Sequence, residues 1–127
     1  MTEGYVQGAP RSLLRLEGAA LLLFALVGYW WSGQPWWLLA ALVLVPDLSM
    51  LGYLAGPKVG AALYNAAHST TAPLVLLSGS ALLDDRMTLG LALIWLAHIG
   101  FDRALGYGLK YVSGFGDTHL GPLGGRL

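Results

Sequence analysis

The chain has 127 residues, of which 56% are hydrophobic and only 11% are charged. A soluble domain of ordinary composition carries about 25% charged residues, so this composition favours a single membrane domain. The absence of cysteine excludes disulfides, thiolate nucleophiles and thiolate metal sites, and a formal net charge of zero gives no reason to expect nucleic acid as a partner.

Four apolar segments follow one another along the chain, each near or above the roughly 20 residues that an α-helix needs to cross the hydrocarbon. The predicted spans are about 13–31, 36–54, 59–83 and 87–107. Because the connections are short, neighbouring helices should run antiparallel. We predict one all-α domain over residues 1–127, an integral membrane four-helix bundle. A soluble bundle is disfavoured because the helices are apolar on all faces.

The ends of the spans predict the orientation of the chain. The first span is too long for a cleaved signal peptide and lacks a small-residue cleavage pattern. With four crossings both termini lie on one side, together with most of the basic residues (Arg11, Arg15, Lys58, Arg103, Lys110 and Arg126). The opposite side carries only Arg86, so both termini should face the cytoplasm of a bacterial inner membrane. The glycine-rich tail, 112–127, is predicted to be irregular.

Ionisable residues inside the spans cost roughly 2.5–3.5 kcal/mol each near the bilayer centre. The chain nevertheless places several of them within its predicted helices (Glu17, Asp47, His68, His98, Asp102 and Arg103). At the usual rise per residue, one ionisable residue from every predicted helix lies in the same layer, toward the cytoplasmic side. This agreement in depth predicts a common site.

Two of these residues, His98 and Asp102, are four positions apart and share a helix face. Two imidazoles with two or three carboxylates in a bundle core are suitable ligands for a divalent metal, with Zn first and Mn, Fe or Ni as alternatives. A metal would also neutralise the carboxylates and so lower the cost of inserting them.

Each residue also has a structural interpretation. His98 and Asp102 would form a hydrogen-bonded pair, Asp47 would cap backbone freed by Pro46, and Glu17 would pair with Arg103. His68 would bind a backbone group freed by Pro73, His119 would be solvated, and the tyrosines would anchor the chain at the interface (Tyr53, Tyr64, Tyr107 and Tyr111).

Several strings resemble an uncharacterised bacterial family of small membrane proteins, the domain-of-unknown-function family numbered 4260. The strings are Val45-Pro-Asp-Leu-Ser-Met-Leu-Gly-Tyr53, Tyr64-Asn-Ala-Ala-His68, His98-Ile-Gly-Phe-Asp-Arg-Ala-Leu-Gly-Tyr-Gly-Leu-Lys110 and Phe115-Gly-Asp-Thr-His119-Leu-Gly121. The resemblance covers 13–121 and implies a four-helix membrane protein without an established activity.

A looser resemblance links the order Pro-Asp, His-Ser and His-x-x-x-Asp to the membrane-bound metal-dependent hydrolases. It implies that the metal ligands are Asp47, His68, His98 and Asp102. Ser49 stands where that pattern has a second Asp, and Asn65 stands where it has a further His. These departures imply one metal rather than two, or a lost activity.

The resulting hypothesis is a membrane-embedded metal-dependent hydrolase of a lipid-like ester or phosphoester that enters from the cytoplasmic side. Glu17 and Asp47 are the candidate catalytic residues. The candidate substrate-binding residues are Asn65, Arg103 and Lys110. The tail would close the site with Asp117 and His119.

Two alternatives belong to other classes. The polar layer would fix helix register in a non-enzymatic binding or scaffold protein. Alternatively, the polar layer would form a proton or ion pathway. Four helices are few for a monomeric channel, so this pathway would require a homo-oligomer. In all three cases the bilayer is the expected partner.

Overall fold

A computed structural model of the chain describes residues 4–122. In chain order the elements are α1 (Gly8–Ser32), α2 (Trp36–Leu42), a 3₁₀ helix (Val45–Ala55), α3 (Pro57–His68), α4 (Thr71–Leu83), α5 (Arg86–Leu105), β1 (Asp117–Thr118) and β2 (Gly121–Pro122). The prediction of a helical chain is confirmed. The end of the predicted tail, including Gly124, Gly125 and Arg126, lies outside the described residues.

Three segments are long and apolar enough to cross a membrane, namely Gly8–Ser32, Trp36–Ala55 and Arg86–Leu105. They correspond to three of the four predicted spans. In the first two, most large apolar side chains point outward; Leu23 is 65% exposed and Trp30 is 69% exposed. An apolar surface of this extent is stable only against hydrocarbon or a partner.

α5 lies at the centre of the described structure and packs against α1 and α4. A Cβ on Gly100 would lie 2.6 Å from the Leu22 backbone nitrogen and 2.8 Å from the Gly18 carbonyl oxygen, so only glycine permits this approach. Gly100 is two residues from both His98 and Asp102, which places it on the opposite face of α5. α1 therefore packs on one face of α5, and the opposite face, which carries His98 and Asp102, is available to the other helices.

The second predicted span is not one continuous α-helix. α2 ends at Leu42, and after a turn the chain continues as a 3₁₀ helix. Pro46 causes the change because it has no N–H to continue the α-helical ladder. The Asp47 N–H donates to the Leu44 carbonyl, three residues back, at 3.0 Å.

A 3₁₀ helix has three residues per turn, so its side chains form three straight rows. The row that begins at Val45 is exposed and apolar (Val45, Leu48, Leu51 and Leu54). The row that begins at Asp47 is partly buried (Asp47, Met50 and Tyr53). The helix therefore separates an apolar outer surface from an inner row that starts with a carboxylate.

The third predicted span is two helices. α3 ends at His68, Ser69 is extended with φ −82° and ψ 143°, and α4 begins at Thr71. Pro73 fits in the first turn of α4, where the N–H groups have no partner in the helix, but it could not continue a helix that ran through His68. The break puts the carboxyl end of α3 at His68.

The tail contains regular structure, which corrects the prediction that 112–127 is irregular. β1 and β2 pair antiparallel, and Lys110 forms a bridge with Thr118. The hairpin is held to α1, because Arg11 Nε donates to the Leu120 carbonyl at 2.5 Å. The start of α1 and the tail consequently lie at the same end of the molecule.

Candidate metal centre

Four ionisable side chains meet where the 3₁₀ helix, α3 and α5 come together. Asp47 belongs to the 3₁₀ helix, His68 is the last residue of α3, and His98 and Asp102 lie on consecutive turns of α5. One potential ligand atom from each lies within 4.8 Å of the others. The two histidines are 2% and 3% exposed, whereas the side chains of Asp47 and Asp102 retain 31% and 13% exposure.

The spacing of the inward-facing atoms suits a metal ion. His68 Nε2 lies 3.1 Å from His98 Nε2, 3.2 Å from Asp47 Oδ1 and 3.5 Å from Asp102 Oδ2. His98 Nε2 lies 3.1 Å from Asp47 Oδ1 and 3.3 Å from Asp102 Oδ2. Ligands about 2.0–2.1 Å from a tetrahedral ion are roughly 3.3 Å apart. The five separations that involve a histidine nitrogen match these edges, and all four ligand atoms lie within 4.8 Å of one another.

The tautomer of each histidine follows from its other ring nitrogen. His68 Nδ1 lies 2.8 Å from the Tyr64 carbonyl oxygen, and His98 Nδ1 lies 2.6 Å from the Val43 carbonyl oxygen. A carbonyl accepts only, so both Nδ1 atoms carry a proton and donate it. In the neutral imidazoles both Nε2 lone pairs then face inward, which is the usual outer-shell arrangement of a metal-binding histidine.

The 3₁₀ helix explains why the Val43 carbonyl is available to His98. In an α-helix this carbonyl would accept the N–H of Asp47, and in a 3₁₀ helix that of Pro46. Pro46 has no N–H, and the Asp47 N–H donates to Leu44 instead. The proline that disrupts the helix therefore also supplies the acceptor that orients His98.

The end of α3 is held in place by three other contacts. The Tyr64 ring stacks on the His68 ring, with centroids 3.7 Å apart and planes inclined by 9°. The Trp95 indole donates to the Ala67 carbonyl at 2.6 Å, and Arg103 donates to the His68 carbonyl at 3.1 Å. The Trp95 and Arg103 side chains satisfy carbonyls that the helix end would leave unpaired. Together with the Tyr64 ring they fix the position of His68.

A cavity of about 250 Å³ opens beside the two carboxylates. Its lining residues are Asp47, Met50, Tyr64, Asp102, Tyr107, Lys110 and Phe115. Of the predicted substrate-binding residues, only Lys110 belongs to this set. Met50 and Phe115 are site residues that were not predicted; the three-residue repeat after Asp47 is the signal that points to Met50.

Lys110 approaches the site from the tail. Asn65 holds its backbone, because Asn65 Oδ1 accepts the Lys110 N–H at 2.6 Å and Asn65 Nδ2 donates to the Lys110 carbonyl at 2.8 Å. The Lys110 side chain is buried, and burial lowers the pKa of its ammonium group, although the charges of Asp102 and Asp47 act in the opposite direction. Asn65 thus positions the tail instead of lining the cavity.

Several alternative interpretations are wrong. Glu17 is exposed on α1, and among residues 4–122 it forms neither the predicted pair with Arg103 nor any contact with the four-residue cluster, so a catalytic role for it has no support. Asp47 does not cap a helix, because its Oδ1 faces the two Nε2 atoms. His68 binds the carbonyl of Tyr64 rather than a group freed by Pro73.

The predicted lid residues belong to the hairpin. His119 is half-buried rather than solvated; its Nδ1 accepts the Leu109 N–H at 2.9 Å, and its own N–H donates to the Leu109 carbonyl at 3.0 Å. Asp117 Oδ2 accepts a hydrogen bond from Ser113 at 2.8 Å. Neither residue lines the cavity. The residues after α5 that do are Tyr107, Lys110 and Phe115.

The relationship of this chain to known proteins follows from its match to one protein family. The model of one family, the domain of unknown function DUF4260, matches residues 11–123. The chain belongs to this family. The four ligand-type residues and the cavity-lining residues all lie within the matched segment, so the site is part of the family domain. No curated protein and no solved structure matches the chain.

Proposed function

We propose that this DUF4260 protein is a membrane-embedded, metal-dependent hydrolase that acts on a lipid-like ester or phosphoester from the cytoplasmic side. One observation carries the proposal. Two imidazole nitrogens and two carboxylate oxygens face one point, at 3.1–3.5 Å from one another along the measured edges. Two nitrogen and two oxygen ligands in this geometry suit Zn, with Mn, Fe or Ni as alternatives.

The proposed topology is four crossings of a bacterial inner membrane, with α3 and α4 together forming the third. Both termini would then be cytoplasmic. Two contacts support this arrangement. The Val6 N–H donates to the His119 carbonyl at 2.8 Å, which joins the amino-terminal segment to the tail. Arg86 lies at the far end of α1, donating to the Trp31 carbonyl at 3.3 Å. The basic residues Arg11, Arg15 and Lys110 then share the cytoplasmic end, as the positive-inside rule requires.

The hydrogen bonds argue against a purely structural polar network. With Nδ1 of both histidines donating to carbonyls, Nε2 of each neutral ring is an acceptor, and so are both carboxylates. Four acceptors around one point repel each other unless a cation or a proton lies among them. Without one, the two buried imidazole nitrogens would be left unsatisfied, at about 1–3 kcal/mol per group, while the partly exposed carboxylates could bind water.

The chain provides the remaining parts of a hydrolytic site. A divalent metal, when bound, supplies a Lewis acid that makes water a nucleophile near neutral pH. Asp47 has the more exposed carboxylate and lines the cavity, so it is the group we assign to accept a proton during attack. The cavity residues Tyr64, Tyr107 and Phe115 would provide an aromatic surface against the substrate.

The first experiment is elemental analysis of the detergent-purified protein beside an Asp102→Ala variant. We expect close to one equivalent of a transition metal in the wild type and none in the variant. The matched control is His119→Asn, which removes the one histidine outside the cluster and should leave the metal content unchanged. Ester and phosphoester substrates would then be tested on the loaded protein.

The opposite result has a definite meaning. If no metal binds, even after reconstitution with Zn, Mn, Fe or Ni, the hydrolase proposal is refuted. The cluster would then hold a proton between its acceptors, and the alternatives to test would be the structural polar network and the proton or ion pathway.

A further inference from the structure

Lys110 is a buried cation with no carboxylate within salt-bridge distance among residues 4–122, although the charges of Asp102 and Asp47 act on it. It is 4% exposed, and its Nζ donates to the Phe115 carbonyl at 2.7 Å. The same Nζ lies 3.6 Å from the centroid of the Phe115 ring and 4.6 Å from that of Tyr64. These contacts compensate part of the cost of burial, but a buried ammonium ordinarily has an anionic partner.

The cavity that Lys110 lines is also lined by the two carboxylates of the metal centre, Asp47 and Asp102. A divalent ion bound there neutralises Asp47 and Asp102, which leaves the single positive charge of Lys110. The cavity as a whole is then complementary to a group with one negative charge. A neutral carboxylic ester would leave the ammonium unpaired, and a phosphomonoester carries nearly two negative charges near neutral pH.

We propose that the cavity binds a phosphodiester, with Lys110 Nζ donating to one of its non-bridging oxygens. A phosphodiester carries one negative charge, which matches the loaded cavity. The inference rests on the proposed function, because it requires the metal, and it narrows the substrate from esters and phosphoesters to this one class. Lysine serves here as a compact point charge for phosphate.

The size of the cavity limits what else can enter. About 250 Å³ is slightly below the roughly 300–1,000 Å³ of pockets that hold a drug-sized ligand. The phosphate and its immediate substituents fit, and any acyl chains must remain outside. The same recognition therefore serves a lipid headgroup or a small soluble phosphodiester.

The test uses the full chain in an uncharged detergent, loaded with Co²⁺ as a spectroscopic probe. Ligand entry at a cobalt site changes its visible absorption, so binding is read without turnover. The probes are diethyl phosphate, ethyl phosphate and a neutral ethyl ester, with phosphatidylglycerol as the lipid arm. We expect diethyl phosphate or phosphatidylglycerol to bind at least about tenfold more tightly than the monoester and the neutral ester, which is about 1.4 kcal/mol. Binding of the lipid alone would identify a lipid headgroup as the source, and binding of both would extend the class to soluble diesters.

Variants assign this selectivity to Lys110. Lys110→Met should retain Co²⁺ but lose the preference for the phosphodiester, and Lys110→Arg should retain most of it. Lys58→Met is the matched control, since Lys58 is exposed at the start of α3 and should change nothing. If Lys110→Met does not fold, the relative affinities of the wild type for the four probes test the phosphodiester inference without this variant.

The failures are distinguishable. If Co²⁺ binds but neither diethyl phosphate nor phosphatidylglycerol does, or if the monoester or the neutral ester binds better than both, the phosphodiester inference is wrong while the metal centre stands. An unchanged preference in a folded Lys110→Met variant would also overturn it. If no metal binds, the charge balance no longer holds and both proposals fail together.

Discussion

The Nε2 atoms of His68 and His98 face each other across 3.1 Å, while the Nδ1 atom of each ring donates its proton to a backbone carbonyl. Two neutral rings held in this way cannot hydrogen-bond to each other, because neither Nε2 carries a proton. The pair is therefore stable only around a third, positively charged species. Asp47 and Asp102 strengthen that requirement, since each places a carboxylate oxygen within 3.5 Å of these nitrogens.

A bound metal should stabilise the fold. Its ligands come from the 3₁₀ helix, α3 and α5, so binding adds direct bonds between elements that are otherwise joined by packing and a few hydrogen bonds. At a free concentration of Zn²⁺ one thousand times its dissociation constant, the free energy of unfolding should rise by about 4 kcal/mol. Thermal unfolding of the detergent-solubilised protein, with Zn²⁺ and with a chelator, measures the effect. His98→Ala should abolish the shift and His119→Asn should retain it; a shift that persists in His98→Ala would show that Zn²⁺ acts elsewhere.

Gly100→Ala should destabilise the contact between α1 and α5. The added methyl group would lie 2.6 Å from the Leu22 backbone nitrogen, and a backbone atom cannot move aside as a side-chain end can. Overpacking of this kind costs about 1–3 kcal/mol. The matched control is Gly79→Ala in α4, where no atom lies within 4 Å of the new Cβ. That change should be neutral or stabilising by up to about 1 kcal/mol, because alanine favours helix. Unfolding midpoints of the two variants measure the difference, and equal midpoints would contradict the close crossing.

Asn65→Leu should release the tail from α3. The change removes both hydrogen bonds to the Lys110 backbone at nearly constant side-chain size, and each bond contributes about 0.5–1.5 kcal/mol. We expect faster proteolysis within 106–122 and weaker binding of any ligand that Lys110 contacts, with metal content unchanged. Ser78→Ala is the control, since its exposed hydroxyl bonds only within α4, to Leu74. Wild-type proteolysis rates in Asn65→Leu would show that other contacts suffice to hold the tail.

Acid should open the hairpin through His119. Burial lowers the pKa of this imidazole below its ordinary value of 6.5, and the nearby charge of Arg103 lowers it further. The Leu109 N–H also occupies the lone pair that a proton would need. The unfolded tail then binds more protons than the folded one, so stability is complete above about pH 6.5 and is lost as the pH falls through the lowered value. Amide hydrogen exchange at Leu109 between pH 7.5 and about pH 5 measures the effect, and His119→Asn should flatten the profile. An unchanged exchange profile in that variant would assign the acid sensitivity to another group.

The helical class of the chain follows from the sequence by itself. Long apolar runs with few charges leave helix as the only stable backbone in hydrocarbon, so α1 and α5 are predictable to within a few residues. Some of the residues that meet in the four-residue cluster are also predictable. A carboxylate or an imidazole deep in an apolar helix is costly enough to require a partner, and this requirement points to Asp47, His68 and His98 without any structure.

Only the tertiary structure decided how those residues act. The sequence does not show that the second and third spans break at Leu44 and Ser69, because a proline permits a kink, a 3₁₀ segment or a new helix depending on what packs against it. The free Val43 carbonyl, and hence the inward Nε2 of His98, depends on that outcome. Glu17 was indistinguishable from the cluster by depth, but depth does not determine which way a side chain faces around its helix. The position of Lys110 likewise depends on contacts between residues 45 positions apart along the chain, which no local pattern encodes.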